Sequence, residues 1–395
     1  MISLGIERLE IDWGKNHSFT DHSNLFLPGD VCDIPYYYAD DVVEMKPGLS
    51  RRLGAIARRL DLLGYSVGTL PARYADLVES MPDYYDEVPL SFEQFAAIMK
   101  AVDLSKACQS LEEGDYDLGE YISQYVFQDA EIRKLLPSGV TINRDVGTFF
   151  ENFDPYLTLR LLALNPANAD RLVQWRYADV VDGGWAERSE VVKPLPDTSK
   201  ILIVTEGSSD SFIIQRALVS LYPDVADFFH FVDMEEHYPF TGTGNLYRFC
   251  QGLSRIKIEN KVLVVFDNDA AGIEKFNEVR KLKRPAMMHV CRLPDHEDFR
   301  SVMTAGPNGL AKADINGAAV AIECFLDLRP LAARSHLVRW TSYNRELGRY
   351  QGEIEGKEEL VTLFKRANLT DGNYDGSRLS FLIEHLLNEW IGHAG

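Results

Sequence analysis

Short, unbroken runs of aliphatic residues alternate with amphipathic stretches through the middle of the chain. Residues 201–204 form one such run and lead to Glu206, and residues 262–266 form another and lead to Asp267. Runs of this length are typical of strands covered on both faces, as in a parallel sheet. Between them, apolar residues recur at helical spacing, for example at 211–222. The pattern predicts an α/β fold with a parallel sheet flanked by helices.

The same pattern predicts the remaining elements. In the central part we expect further strands at 228–233 and 287–293, and helices at 246–253 and 271–282. The first 48 residues indicate β structure. After them we expect helices at 49–63, from Ser91, at 118–127 and around 149–164, then a strand and turn at 172–185. From about Arg329 the chain is predicted to be mostly helical and to end in a helix at 377–390.

A chain of 395 residues is long for one domain, so we expect two or three. The proline-containing segment 189–199 is a plausible boundary. We therefore divide the chain into a mixed α+β N-terminal domain at 1–195, a central α/β domain at 196–326 and a mostly helical C-terminal region at 327–395.

Composition limits the class of protein. No apolar run reaches the roughly 20 residues that a membrane span requires, and the N-terminus lacks the pattern of a signal peptide. Five widely separated cysteines argue against a disulfide framework and a zinc knuckle. We expect a soluble, cytoplasmic protein without a membrane partner. The formal charge of −19 argues against a surface that wraps nucleic acid unaided.

Four acids fall just past strand ends, where α/β sheets gather their functional groups. Asp267 and Asp269 are two residues apart on extended chain and can aim at one point. Glu206 follows the other run, and Asp210 lies one turn further on, near a helix start. Clustered carboxylates repel one another unless a cation lies between them. Hard oxygen ligands suit Mg²⁺ or Mn²⁺, which can orient water and stabilise a leaving oxygen in phosphodiester cleavage.

These motifs resemble the toprim domain shared by topoisomerases, bacterial primases and nucleases of the overcoming-lysogenization-defect type. The matching segments are Glu206-Gly207 with Asp210, and residues 267–272. The resemblance implies that Glu206 is a metal ligand or general base and that Asp210, Asp267 and Asp269 are metal ligands. It also implies a further ligand from the acids after the fourth strand and a lysine near the scissile phosphate. Asp298, or alternatively Glu297, is the candidate ligand, and Lys312 is the candidate lysine.

Residues 9–16 and 175–185 resemble the N-terminal region of bacterial HEPN/toprim-associated proteins. This resemblance implies a bacterial origin and a role in defence against phage or in a toxin-like response. HEPN ribonucleases carry an Arg followed, after a gap of four to six residues, by a His. Arg329 with His336, and Arg378 with His385, have that spacing; helix-surface charge is the ordinary alternative.

A basic, aromatic stretch at 339–350 is the best candidate for a nucleic-acid contact. Arginine neutralises phosphate and aromatic rings stack on unpaired bases. The arginines in question are Arg339, Arg345 and Arg349. A buried Trp340 among solvated arginines is the alternative interpretation.

Three functions are compatible with these residues. The leading hypothesis is a metal-dependent toprim nuclease that cuts DNA or RNA. The second is a binding or regulatory subunit that cuts only with a protein partner or never, and a homo-oligomer is equally open. The third is a hydrolase of small phosphate esters, which is ranked last because Ala270 and Ala271 stand where such enzymes usually place a hydroxyl.

Overall fold

The computed structural model describes most of the chain. The chain divides into two compact units, Met1–Leu195 and Pro196–Ala394. The described residues are 1–6, 9–38, 42–80, 90–105, 116–117, 127, 129–136, 149–150, 153–232 and 242–394.

The first unit is built from six strands and seven helices among its described residues. Its strands are β1 (Ile2–Ile6), β2 (Leu9–Gly14), β3 (Val31–Tyr37), β4 (Val43–Arg52), β5 (Tyr116–Asp117) and β6 (Leu172–Arg176). Its helices are α1 (Leu53–Leu62), α2 (Leu70–Ser80), α3 (Phe92–Ala101), α4 (Ala130–Arg133), α5 (Pro155–Leu162), α6 (Ala178–Asp182) and α7 (Arg188–Val191). The strands form one sheet in the order β3-β4-β6-β1-β2-β5, and only the β2–β5 pair is parallel.

The core of the first unit lies between this sheet and the helices. Trp175, on the central strand β6, is 1% exposed and stacks near Phe26. Phe95 of α3 is fully buried beside Phe150 and Phe153. Alternation along the strands thus directs one set of large side chains inward, as expected for a sheet covered by helices on one face.

The second unit contains ten strands and five helices among its described residues. Its strands are β7 (Ile201–Val204), β8 (Phe229–Phe231), β9 (Lys261–Phe266), β10 (Asn268–Asp269), β11 (Met288–Arg292), β12 (Val302–Gly306), β13 (Gly309–Ala313), β14 (Ala319–Val320), β15 (Val338–Asn344) and β16 (Arg349–Ile354). Its helices are α8 (Ser208–Leu221), α9 (Thr243–Ile256), α10 (Ala270–Arg280), α11 (Lys357–Arg366) and α12 (Ser377–Ala394).

Four of these strands form the parallel sheet that the sequence predicts, in the order β11-β9-β7-β8. All three neighbouring pairs are parallel. Strands β7 and β9 are almost wholly buried, and Val204, Val264 and Phe266 are 0% exposed. The helices α8, α9 and α10 follow β7, β8 and β9 in sequence. The α/β prediction for this part of the chain is confirmed.

The C-terminal part of the chain is less helical than predicted, and that prediction is wrong. A second sheet, in the order β13-β12-β15-β16, includes two strands from the region expected to be helical. β15 is rich in residues with high β-propensity, namely Val338, Trp340, Thr341 and Tyr343. Gly348, with a positive φ of 64°, lies in the turn that joins β15 to β16. Helices α11 and α12 follow, and only this last part agrees with the prediction.

Three further expectations change in detail. The predicted helix at 49–63 begins only at Leu53, because β4 continues to Arg52. The helix expected around 149–164 is described over Pro155–Leu162, with Asp154 capping its start. The predicted turn at 176–185 contains helix α6. The predicted helix at 118–127 lies, except for residue 127, outside the described residues.

Two findings concern the whole described chain. None of its described helices combines the length and apolar character that crossing a membrane would require. The four described cysteines, Cys32, Cys250, Cys291 and Cys324, are free thiols.

Candidate active site

The predicted acids meet at the carboxyl edge of the parallel sheet. Glu206 lies two residues past β7, and Asp267 is the first residue past β9. The backbone N–H of Asp267 donates a hydrogen bond to Oε1 of Glu206 at 3.1 Å. The adjacent strands β7 and β9 run parallel in a register that pairs Val204 with Val264. This register brings the two strand ends, and hence the two acids, to the same place.

The other two predicted acids begin helices at the same edge. Asp210 lies in the first turn of α8, and its Oδ2 accepts a hydrogen bond from the N–H of Gly207 at 3.0 Å. Asp269 caps α10, since its Oδ1 accepts from the N–H of Gly272 at 2.7 Å. Acid side chains in these positions satisfy backbone N–H groups that have no partner within the helix.

A close backbone contact fixes the position of α10 against β9. A Cβ atom added at Gly272 would lie 2.2 Å from the carbonyl oxygen of Asp267. Only glycine allows the helix to approach the strand end so closely. The sequence segment 267–272 therefore folds back on itself and holds Asp267 and Asp269 beside each other.

Burial and mutual repulsion dominate the electrostatics of these acids. Burial, together with the charges of Asp269 and Asp210, raises the pKa of Glu206 to about 8. Burial, followed by the charge of Glu323, raises the pKa of Asp210 to about 7. The pKa of Asp267 is raised well above its usual value by burial and then by Glu206. Such shifts are typical of functional carboxylates, and they disappear when a cation neutralises the group.

Glu323 is a fifth acid of this site, and the sequence reasoning missed it. It is 6% exposed, and its charge raises the pKa of both Asp210 and Asp267. The short antiparallel pairing of β10 with β14 brings it there, because it follows β14 by three residues. A single acid inside the otherwise apolar run 318–326 was the available signal. We call Glu206, Asp210, Asp267, Asp269 and Glu323 the acidic cluster.

Lys357 places a positive charge beside the acidic cluster. Its Nζ lies 4.0 Å from Oε2 of Glu323. Burial acts to lower the pKa of Lys357, but the attraction of Glu323 and Asp267 outweighs it and raises that pKa. Lys312, predicted for this role, is instead an exposed residue on β13. No motif spacing in the sequence distinguishes Lys357 from the other lysines.

Gln351 also belongs to the site and was not predicted. Its Nε2 donates to Oδ2 of Asp269 at 2.6 Å, and its Oε1 accepts from the N–H of Ala271 at 3.0 Å. A second link joins the same hairpin to α10, from Asn344 to Glu274 at 2.9 Å. The hairpin β15–β16 is thus attached to the first turns of α10.

The donor atoms of the acidic cluster fit a hard divalent cation, because all of them are carboxylate oxygens. In the part of the chain that the structure describes, however, no three Asp, Glu, His or Cys side chains converge closely enough to share a metal ion. Glu206, Asp210 and Asp269 each accept a hydrogen bond from a backbone N–H group instead. A bound cation would have to replace some of these donors.

The acids after β11 have other partners. Oδ2 of Asp298 accepts from Arg378 at 3.1 Å, and the exposed Glu297 pairs with Arg300 at 2.9 Å. Among the described residues, no hydrogen bond or ion pair joins Asp298 to the acidic cluster. Asp295 supports the site indirectly, since its Oδ1 accepts from Nδ2 of the buried Asn268 at 2.7 Å.

The predicted nucleic-acid contact is a β-hairpin rather than a helix. Strand register places Lys312 and Arg339 on one face of its sheet and the rings of Trp340, Tyr343 and Tyr350 on the other. Arg339 pairs with Glu355 at 2.6 Å, and Arg349 donates to the carbonyl of Gly317 at 2.9 Å. Arg345 is exposed in the turn. The basic and aromatic groups therefore do not form one surface.

In each Arg–His pair with HEPN-like spacing, the arginine and the histidine contact different partners. Arg329 binds Asp327, and Nε2 of His336 lies 3.1 Å from Glu355. Arg378 binds Asp298, and His385 lies 3.1 Å from the carbonyl oxygen of Arg292. Each of these four side chains thus supports local structure, and a second active site on them stays a prediction.

Comparison with known proteins gives one match. A family model described as HEPN/Toprim N-terminal domain 1 matches residues 1–199, just over half of the chain. The match includes the segments 9–16 and 175–185 and confirms the predicted resemblance to HEPN/toprim-associated proteins. No curated protein and no solved structure matches the chain. The chain belongs to the HEPN/Toprim N-terminal domain 1 family.

Proposed function

We propose that this protein is a metal-dependent nuclease whose second unit is a toprim domain that cleaves phosphodiester bonds of DNA or RNA. The observation that supports the proposal most is the gathering of five carboxylates at one sheet edge, where Glu323 is buried and the other four are half-buried. Each of Glu206, Asp210 and Asp267 has a raised pKa there, so the site favours either protons or a cation. Structural cores do not require such a cluster, whereas phosphoryl chemistry does.

The residues that would hold Mg²⁺ or Mn²⁺ are those of the acidic cluster. When bound, the metal would stabilise the charge that develops on the phosphate and its leaving oxygen. Glu206, which lies beside Asp267 at the strand ends, is also placed to accept a proton from water as a general base. Gln351 would keep Asp269 oriented through its hydrogen bond.

Lys357 would supply the positive charge next to the phosphate. It lies beside Glu323 and is held protonated by the surrounding acids. An ammonium group in this position can neutralise a phosphate oxygen as the substrate enters. This role replaces the one predicted for Lys312. The family and its implied context also support a role in bacterial defence against phage.

The direct test is cleavage of supercoiled plasmid and of a structured RNA with Mg²⁺ or Mn²⁺. We expect activity in the wild type and none in Asp267→Asn. Glu259→Gln is the matched control, because Glu259 is an exposed acid before the opposite, amino end of β9. Equal cleavage by wild type and Asp267→Asn would remove the assigned site.

A second candidate is a regulatory or binding subunit that cuts only with a partner protein. It is favoured by the formal charge of −19 and by carboxylates that are already hydrogen-bonded to backbone N–H groups. Copurification from the native host, followed by cleavage assays with and without the captured protein, separates the two. Activity of the purified chain alone supports the nuclease, and activity restored only by the partner supports the subunit.

A further inference from the structure

A cavity of the second unit lies directly beside the acidic cluster. Its volume is about 930 Å³, and it is bounded by α8, the end of β8 and α11. Ser209 connects the two sites, because it lines the cavity and its Oγ donates to Oδ1 of Asp210 at 3.3 Å. A molecule in this cavity would therefore lie next to the acids.

The lining of this cavity differs from the rest of the protein in charge. Although the chain carries a formal charge of −19, none of the eleven described lining residues is Asp or Glu. Lys365 contributes an ammonium group, and Ser208 and Ser209 contribute hydroxyls. These groups suit an anion, and a phosphate in particular.

Three phenylalanine rings contribute to the apolar part of the lining. Phe212, Phe229 and Phe231 all border the cavity. Nζ of Lys365 lies 5.5 Å from the ring centroid of Phe212, so the positive charge and an aromatic face are adjacent. Base stacking on aromatic side chains beside a cation is the usual way in which proteins hold unpaired nucleotides.

We infer that this cavity binds a nucleoside phosphate: an unpaired nucleotide of the nucleic acid whose neighbouring phosphate lies at the acidic cluster. The inference rests on the proposed nuclease function for the identity of the chain that enters. The base would stack on the phenylalanine rings, and Lys365 with the serine hydroxyls would hold the phosphate. A volume of about 930 Å³ is ample for one nucleotide.

Binding is measured without divalent metal, so that cleavage does not interfere. Fluorescein-labelled single-stranded DNA and RNA are titrated with the full chain in EDTA, and fluorescence anisotropy gives Kd. We expect Lys365→Ala and Phe212→Ala to weaken binding by about tenfold, the loss typical of one stacked or paired nucleotide. Arg366→Ala is the matched control, since it removes an exposed positive charge one position along the same helix.

Competition with AMP and dTMP identifies the source of the nucleotide. Displacement of a labelled strand supports the substrate subsite. If mononucleotides bind and lose affinity in Lys365→Ala while strands do not bind, the cavity holds a free nucleotide. That result supports a nucleoside phosphate as the ligand and identifies the free nucleotide as its source. Unchanged affinity in Lys365→Ala, or no binding of either probe to the wild type, overturns the inference. Thermal unfolding of Phe212→Ala checks that its half-buried ring is not required for folding.

The two proposals fail in different ways. If the wild type binds strands but cleaves none of them with any metal, the nuclease proposal is overturned and the cavity proposal stands. If the wild type cleaves, and Lys365→Ala and Phe212→Ala change neither cleavage nor binding, the cavity proposal is overturned and the nuclease proposal stands.

Discussion

The N–H of Asp267 donates a hydrogen bond to Oε1 of Glu206, so the ends of two neighbouring strands are joined through one of the acids themselves. The carboxylate of Glu206 therefore responds to any change in the backbone of Asp267. The arrangement of the acidic cluster is set by main-chain geometry as much as by side-chain choice.

The first prediction concerns stability and pH. In EDTA, the free energy of unfolding should fall as pH rises from about 5 to 8, because Glu206 and Asp210 have folded-state pKa values of about 8 and 7. Their unfolded values are about 4, so the folded state binds more protons in this window. Each such group contributes a slope of about 1.4 kcal/mol per pH unit. Urea unfolding at several pH values measures it.

Two comparisons check the cause of that slope. Asp267→Asn removes one buried charge and should make the dependence on pH shallower. Saturating Mg²⁺ should do the same in the wild type, because a cation favours the ionised carboxylates. A free energy of unfolding that rises with pH in EDTA would contradict the burial of these acids.

The second prediction concerns Gln351. Gln351→Ala should reduce cleavage or metal affinity by about 10- to 100-fold, the usual effect of losing the partner of a metal-binding carboxylate. Gln351→Glu should be worse, because it places a like charge against Asp269. Metal titration by calorimetry and cleavage rates measure the effect. Asn277→Ala, which removes an exposed amide from α10, serves as the control.

The third prediction concerns Gly272. Gly272→Ala should destabilise the second unit by about 1–3 kcal/mol, as overpacking does, because its Cβ would lie 2.2 Å from the carbonyl oxygen of Asp267. Gly252→Ala, within α9 and with no atom within 4 Å of its added Cβ, should instead stabilise by up to about 1 kcal/mol. Denaturant unfolding of both variants tests the pair. Equal effects would contradict the close approach of α10 to β9.

The fourth prediction concerns Asp298, for which the sequence and the structure indicate different roles. The resemblance to toprim domains implies that Asp298, or alternatively Glu297, binds metal, whereas the structure pairs Asp298 with Arg378. We expect Asp298→Asn to keep cleavage within about threefold of the wild type and to cost no more than about 1 kcal/mol, as exposed ion pairs do. Loss of cleavage as large as in Asp267→Asn would restore Asp298 to the metal site.

The parts of the site that the sequence predicted are those that lie at the ends of recognisable strands. Glu206 and Asp267 follow recognisable strands, and parallel strands deliver their carboxyl ends to one edge. Gln351 reaches Asp269 across 82 positions through a hairpin that was expected to be helical. Glu323 arrives through the two-residue pairing of β10 with β14. Such non-local pairings leave little local pattern, and the arginines at 339–349 were assigned to one surface for the same reason.

Asp269 both caps α10 and belongs to the acidic cluster, and the two tasks differ in what they require. Asparagine caps a helix as well as aspartate does, but it carries no charge for a metal. One substitution, Asp269→Asn, can thus silence the chemistry while the helix start stays intact. Relatives that retain this architecture as inert receptors for nucleic acid would be only one mutational step from an active ancestor.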